Sequence, residues 1–347
     1  MSSCFTIAVD VMGGDHGLPV TIPAVLNTIK AYPDIHFILV GQSEAIHAFL
    51  KQAGVSVLPE SLEVCAASQV VDMDELPSMA LKHKKDSSMR LAINLVKEGR
   101  AHACVSAGNT GALMATAKFV LKTLPNIERP AIITAFPTVI PQKVSRVLDL
   151  GANIDSSPAN LLQFAVMGSV LASAVDNIDK PSVGLLNVGQ EEMKGNDQVK
   201  EASRLLQQHT GLNYIGYVEG NDIYSGQVDV IVCDGFVGNI ALKSSEGIAQ
   251  LILHYLKQSF KQNLYTRCIA LLAMPILRLL KKRVDPANYN GACLIGLRGI
   301  VIKSHGGANV SAFMNAIAEA IKQAKQNIPF LVQQEVERLL TEPPAHP

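Results

Sequence analysis

The chain has 347 residues, enough for one large α/β domain or two smaller ones. It is 48% hydrophobic, 17% charged and 5% aromatic, without Trp, which fits a well-buried globular enzyme and excludes a disordered chain. Lys+Arg and Asp+Glu number 30 each, so no global basic field attracts nucleic acid, and a polyanionic partner must meet a local patch.

The N-terminus lacks a basic leader and meets an acidic residue early, so Phe5 to Val11 is predicted as a first strand rather than a signal peptide. The glycine-rich turn Met12–Gly17 follows, and Pro19 to Lys30 is predicted helical. His36 to Val40 is a strand ending at Gly41, Glu44 to Gln52 a helix, and Leu62 to Ala66 a strand. An irregular polar stretch leads to a helix that starts at Ser87 and ends at Gly99. The apolar run from Ala103 then breaks at Ser106-Ala107-Gly108-Asn109-Thr110-Gly111 and resumes as a helix. Gly108 and Gly111 permit close backbone approach, Asn109 and Thr110 suit a helix cap, and free amides at such a start favour an anion, above all phosphate.

The rhythm repeats. Strands are predicted at Ile132–Pro137, Val147–Leu150, Val183–Asn187, Tyr214–Val218 and Val228–Cys233, with helices at Ala159–Ala174, up to Gln207, and from about Ile240. Leu294 to Ile302 is predicted as a further strand, followed by a final pair of helices and a frayed tail over residues 336–347. Alternation of this kind predicts a mainly parallel sheet covered on both faces, an α/β fold, as one domain over residues 1–335 within which two sub-lobes are compatible. Six strands end in glycine-bearing turns at Gly13, Gly41, Gly108, Gly151, Gly189 and Gly235. On the parallel-sheet expectation, Asp10, Asp15, Ser106, Asn109, Asn153, Lys194, Asp234 and Asn239 meet in one crevice beyond the strand ends.

There is no G-x-G-x-x-G fingerprint, Walker A string or G-x-S-x-G elbow. The six cysteines form no C-x-x-C pair and are expected as reduced, mostly buried thiols. Asp10, Asp15 and Asp234 could share a divalent ion, but carboxylates that cap turns are commoner, and neither metal nor cofactor is expected. No uninterrupted apolar segment of about twenty residues is apparent. Residues 258–290 depart from the pattern: Leu271, Leu272, Met274, Ile276 and Leu277 belong to a dense apolar surface kinked at Pro275 and flanked by Lys281, Lys282 and Arg283. A helical hairpin is expected there, as an oligomerisation arm, as an element facing anionic lipid, or as both.

The strings VDVMGGD (9–15), KKDSSM (84–89), VSAGNTGALMA (105–115), LDLGAN (148–153), VGLLNVG with EEMKG (183–195), VCDGFVGNIALK (232–243) and IKSHGG (302–307) together resemble the bacterial phosphate acyltransferases, which make acyl phosphate from acyl-acyl carrier protein. The match runs in order over about residues 5 to 325 and departs at Val11 and in Tyr289–Gly296. The resemblance implies a fold like that of isopropylmalate dehydrogenase and phosphotransacetylase. It also implies a cytoplasmic homodimer, peripherally attached to the inner face of the cell membrane, that passes its product to a membrane glycerol-3-phosphate acyltransferase.

On this reading phosphate is itself the nucleophile, and the site must hold it and stabilise the tetrahedral oxyanion. Asp10, Gly13, Gly14, Asp15, Ser106, Gly108, Asn109, Thr110, Gly111, Asp234 and Gly235 are expected to bind substrate, helped by Lys194 and Lys303 as cations. Asn153 or Asn239 is a candidate donor to the oxyanion. His305 is a candidate proton donor to the leaving thiolate, or else a turn residue whose ring caps local groups. Ser106 as an acyl nucleophile is weaker, having no His neighbour in sequence. Lys82, Lys84, Lys85 and Arg90 form the expected landing patch for the acidic carrier, with Lys281–Arg283 as the alternative, although a charge run is commonly only a solvated face. Two other functions stay open: an acyl-CoA-using phosphotransacetylase, and a non-catalytic membrane scaffold for lipid synthesis.

Overall fold

The computed structural model describes residues 5–55, 57–284 and 289–341; the side chains of 280–284 and 339–341 also lie outside that description. The first half comprises β1 (Phe5–Asp10), α1 (Leu18–Ala31), β2 (Ile35–Gly41), α2 (Ser43–Gln52), β3 (Leu62–Ala66), α3 (Pro77–His83), α4 (Ser88–Lys97), β4 (Ala103–Ser106), α5 (Thr110–Leu121) and β5 (Ala131–Pro137). The second comprises β6 (Val144–Leu148), α6 (Pro158–Asp176), β7 (Ser182–Leu186), α7 (Asp197–Gln207), β8 (Asn213–Val218), β9 (Val230–Val232), α8 (Gly235–Lys261), α9 (Leu264–Val284), β10 (Ala292–Ile295), β11 (Ile300–Lys303), α10 (Val310–Gln326) and α11 (Ile328–Thr341).

The strands form one eleven-stranded sheet in the order β3-β2-β1-β4-β11-β10-β5-β6-β9-β7-β8. Side chains alternate across it: Ile7 and Val9 of β1 face a layer built from α1, α2, α6, α7, α10 and α11, while Ala8 faces α3, α4 and α5. Both faces are covered, which is why the strands read as near-continuous apolar runs.

Strand direction departs from the expectation. The block β3-β2-β1-β4-β11 is parallel, and so is β6-β9-β7-β8, but β10 pairs antiparallel with both β11 and β5, and β5 antiparallel with β6. The two parallel blocks therefore run in opposite senses, and their carboxyl ends lie on opposite edges of the sheet. The seam arises because Leu294–Ile302 is not one strand. Gly296, at φ +91°, and Gly299 fold it into the hairpin of β10 and β11, with Cys293 opposite Ile302.

α6, at 19 residues, is by length and composition able to span a membrane, but Asn160 and Gln163 interrupt its apolar run and Phe164, Met167 and Leu171 on it are fully buried, so it is a core helix. One further expectation is corrected. The tail does not begin at residue 336: α11 continues to Thr341 with Val336 buried, and residues 342–347 lie outside the described residues. The arm is a hairpin as expected, though it starts earlier. α8 begins at Gly235, where a Cβ on Gly238 would stand 1.9 Å from the Asp149 carbonyl oxygen, so the helix seats backbone against backbone. It passes the body until the Ser245 hydroxyl meets that of Tyr224, and beyond that point it extends with α9 as an exposed pair.

One charged cluster ties β6 to both neighbouring helices. The buried Arg146 guanidinium binds Asp176 of α6 at 2.5 and 2.8 Å and Glu319 of α10 at 3.1 Å. The carboxylates hold it protonated despite its burial.

Candidate active site

Three neighbouring strands, β1, β4 and β11, end together, Asp10 beside Ser106 and Ser106 beside Lys303. Ser106 Oγ donates to Asp10 Oδ2 at 2.7 Å and accepts the Gly108 amide at 3.1 Å. Burial pushes the Asp10 carboxyl up, opposed by hydrogen bonds from the Ser88 and Ser106 hydroxyls and the Met12 and Gly13 amides. A Cβ on Gly13 would stand 2.7 Å from both Asp10 Oδ2 and the Gly108 nitrogen, so only glycine lets the two turns meet. Gly14, at φ +92°, continues that turn, and the Asp15 amide donates to the Gly306 carbonyl at 2.9 Å. Three of the recognised strings, around residues 9–15, 105–115 and 302–307, thus form one floor.

Lys303 is almost wholly buried at this edge, its Nζ donating to Ala107 O at 3.2 Å and to Ser304 O. Burial lowers its pKa to about 8, partly offset by the charges of Asp15 and Asp10. His305 is exposed, and its Nδ1 accepts the Gly307 amide at 3.1 Å. That bond leaves the neutral ring's hydrogen on Nε2, a donor available to a ligand. The turn-cap reading of His305 is the one this geometry satisfies, and the neutral ring so held has a hydrogen bond to give at Nε2 rather than a proton to transfer.

The α5 N-terminus faces the same edge, with Thr110 exposed and the Thr110 and Gly111 amides in the unpaired first turn. Asn109 serves the fold. Its Oδ1 caps Ala112 N at 3.0 Å, and its Nδ2 donates to Met73 O at 2.8 Å and Glu75 O at 3.0 Å. Asn109 thus ties the 73–75 loop beside the floor, where a Cβ on Gly306 would meet the Met73 methyl at 2.7 Å. Nothing in the local sequence marks that loop or Ser88 as part of the floor, although Ser88 lies within the string KKDSSM.

Asn153, Asp234, Gly235, Asn239 and Lys194 follow β6, β9 and β7 and stand on the opposite edge, so the expected single crevice is corrected to two groups. The reason is the reversed sense of the second block; strands of three to six residues separate the edges by about 10–20 Å. Both hydrogens of the Asn153 amide are committed, to Pro130 O at 2.8 Å and Asp149 Oδ2 at 2.9 Å, so Asn153 has no donor left for an oxyanion. Asp149, fully buried and unforeseen, also accepts the amides of Ile132, Ala152 and Asn153, and burial raises its pKa. Asp234 caps α8 through Val237 N at 2.9 Å, and Gly235 N donates to Asn153 O. Asn239 packs beside Gly151, and the exposed Lys194 lies 3.8 Å from Glu191.

In the expected carrier patch, Lys82 and Lys85 are exposed, and the Arg90 guanidinium lies 5.1 Å from the ring centre of Phe119, a ring 54% exposed and met by Lys122 at 5.2 Å. Lys84 departs from the group, since its Nζ donates to Val70 O at 2.9 Å and lies 3.8 Å from Glu75. On the arm, Leu271, Leu272 and Ile276 are exposed, while Met274 and Leu277 are half-buried. The Lys281–Arg283 side chains lie outside the described residues. No cluster of three or more potential metal ligands occurs among the described residues.

The fold places the chain in the phosphotransacetylase-like α/β class. A phosphotransacetylase from Streptococcus pyogenes superposes with a TM-score of 0.62 at 18% identity, covering 92% of this chain and 94% of that one. The EutD phosphotransacetylase from Staphylococcus aureus gives 0.60 at 17%, covering 94% and 95%. A 4-hydroxythreonine-4-phosphate dehydrogenase from Klebsiella pneumoniae gives 0.55 at 12%, covering 93% and 100%, so this architecture does not itself select a reaction. Within the class, the chain belongs to the fatty acid synthesis protein family, whose profile matches residues 5–331. Curated relatives from Coxiella burnetii (57% identical, 97% of this chain and 98% of the relative) and Legionella pneumophila (57%, 95% and 96%) are each called phosphate acyltransferase.

Proposed function

We propose that the protein transfers a long-chain acyl group from acyl-acyl carrier protein to inorganic phosphate, yielding acyl phosphate for glycerophospholipid synthesis. The observation that carries this is the buried Lys303 ammonium set beside the open α5 N-terminus, a cation and free amides on one glycine-lined floor. The relatives called phosphate acyltransferase point the same way.

In this mechanism phosphate is held by Lys303 Nζ, the Thr110 hydroxyl and the Thr110 and Gly111 amides. One of its oxygens attacks the thioester carbonyl carbon, and the C–S bond breaks as the tetrahedral intermediate collapses. Monohydrogen phosphate loses a proton and the departing thiolate gains one, so the proton passes from the attacking phosphate to the sulfur, while the neutral His305 ring, its Nδ1 taken by Gly307, offers Nε2–H as a hydrogen bond to the leaving group. The pKa of such a thiol, near that of cysteine, makes it a fair leaving group. Ser106 holds the floor together, because its only hydrogen is given to Asp10. Asn239 and Lys194, on the other edge of the sheet, take no part in this scheme.

The carrier is met by Lys82, Lys85 and Arg90. Homodimerisation, a cytoplasmic location at the inner face of the membrane and hand-over to a glycerol-3-phosphate acyltransferase belong to the same proposal. The exposed apolar hairpin supports contact with an anionic membrane surface. Incubation of the purified protein with long-chain acyl-carrier protein and phosphate, read by mass spectrometry, tests the reaction. Phosphate-dependent acyl phosphate and free carrier are expected without added metal or nucleotide. Product from acyl-CoA alone would instead favour the transacetylase reaction, and no product from either donor would favour a scaffold.

A further inference from the structure

The turn that carries Lys303 and His305 is held from outside its own strand. Asn290 precedes β10 on the edge where Ala292 pairs with Lys303. Its Oδ1 accepts the His305 amide at 2.8 Å. Its Nδ2 donates to Ser304 Oγ at 2.7 Å and to Ala312 O, in the first turn of α10, at 2.8 Å. One carboxamide thus uses both hydrogens and its oxygen to join three segments: the approach to β10, the turn after β11 and the start of α10.

We propose that Asn290 is a positioning residue for this site, clasping the Ser304–His305 backbone against α10 and so setting where Lys303 and His305 point. The clasp continues the β10–β11 ladder past its last backbone pair, through a side chain instead of a main chain. Ser304 is fully buried, so without Asn290 its hydroxyl keeps, among the described residues, only the long 3.5 Å contact to His305 O. The His305 amide would lose its acceptor as well. Lys303 Nζ is anchored to carbonyls on both sides of this turn, Ala107 O and Ser304 O, so a shift of Ser304 carries the ammonium with it. His305 shifts likewise, since its ring is fixed to Gly307 within the same turn.

The test uses the full chain and the variants Asn290→Ala and Asn290→Asp. Asp keeps an acceptor for the His305 amide and loses the donors to Ser304 and Ala312. Backbone hydrogen exchange over residues 304–309 is the first readout and is independent of any reaction. Exchange at His305 should quicken at least ~10-fold in Asn290→Ala and stay near wild type in Asn290→Asp. The second readout is kinetic and rests on the acyl-transfer reading. Asn290→Ala should lower kcat ~10-fold with KM for the carrier thioester unchanged. Asn290→Asp should retain more turnover, with the alkaline limb of its phosphate dependence moved to higher pH by a third carboxylate joining Asp10 and Asp15 around Lys303. Wild-type exchange and kcat in Asn290→Ala would overturn the proposal. Equal losses in both variants, matched by the fall in Tm and with an unmoved pH limb, would do so too. If the wild-type protein makes no acyl phosphate, the reaction reading fails while the exchange result still decides the clasp.

Discussion

Ser106 Oγ and Asp10 Oδ2 lie 2.7 Å apart, joining the ends of β4 and β1 in the buried floor of the site. Ser106→Ala removes that donor and leaves a buried carboxyl short of a partner, at an expected cost of about 1–3 kcal/mol. Urea unfolding at neutral pH measures it. Asp10 also carries a pH signature. Its folded pKa is raised above 3.8, so the folded state binds the proton more tightly than the unfolded chain. Its contribution to stability therefore falls as pH rises from 3.8 through the raised value. Asp10→Asn should flatten the unfolding free energy across that window; an unchanged slope would contradict the assignment.

Gly13→Ala should be severe for so small a change. The added methyl meets a carboxylate oxygen and a backbone nitrogen at 2.7 Å, neither the free end of a flexible chain. A loss of about 1–3 kcal/mol is expected, with phosphate-dependent turnover falling further because the two turns must part. Calorimetry beside the activity assay separates the two effects.

Lys303 is charged below about pH 8 and loses its proton above it. KM for phosphate should therefore rise as pH passes upward through that value. Lys303→Met should raise KM about 10- to 100-fold at pH 7, from the loss of a charge-assisted hydrogen bond, and abolish the pH limb. A limb that survives in Lys303→Met belongs to another group.

Charge reversal at Lys82, Lys85 and Arg90 should raise KM for the carrier thioester while sparing a small acyl thioester. Arg90 should matter most, since its half-buried guanidinium lies over the exposed Phe119 ring. Steady-state kinetics with both donors decides this, and equal losses on both would remove the patch from consideration.

Leu271→Glu with Leu272→Glu should weaken flotation with anionic vesicles and leave turnover of soluble carrier thioester intact, because both side chains face solvent. A loss of turnover without a loss of flotation would place the pair in the folded body.

The strands, their glycine turns and most helices were legible because buried parallel strands leave unbroken apolar runs and each turn is marked by Gly, Asn or Asp. Direction was not. An apolar run reads the same whether its strand points one way or the other, so Asn153 and Ser106 looked like neighbours when the β10–β5 seam sets them on opposite edges. The hairpin at Gly296 was hidden inside a stretch whose apolar character continues on both sides. Asn109 and Asn153 were identified as polar residues at strand ends, but their contacts with Glu75 and Pro130 come from distant segments. The Asn290 clasp depends on the same kind of long-range pairing.

The path of α8 bears on where a product goes. The helix starts on the edge away from Ser106, reaches the near edge around Ser245, and has about 16 residues, or about 24 Å, still to run. The hairpin consequently stands on the same flank as Lys303 and returns towards Asn290. A lipid surface touched by its tip would be the surface that the phosphate floor looks out on. On the proposed function, an acyl phosphate, whose chain shuns water and whose anhydride is open to hydrolysis, would then leave directly into that layer.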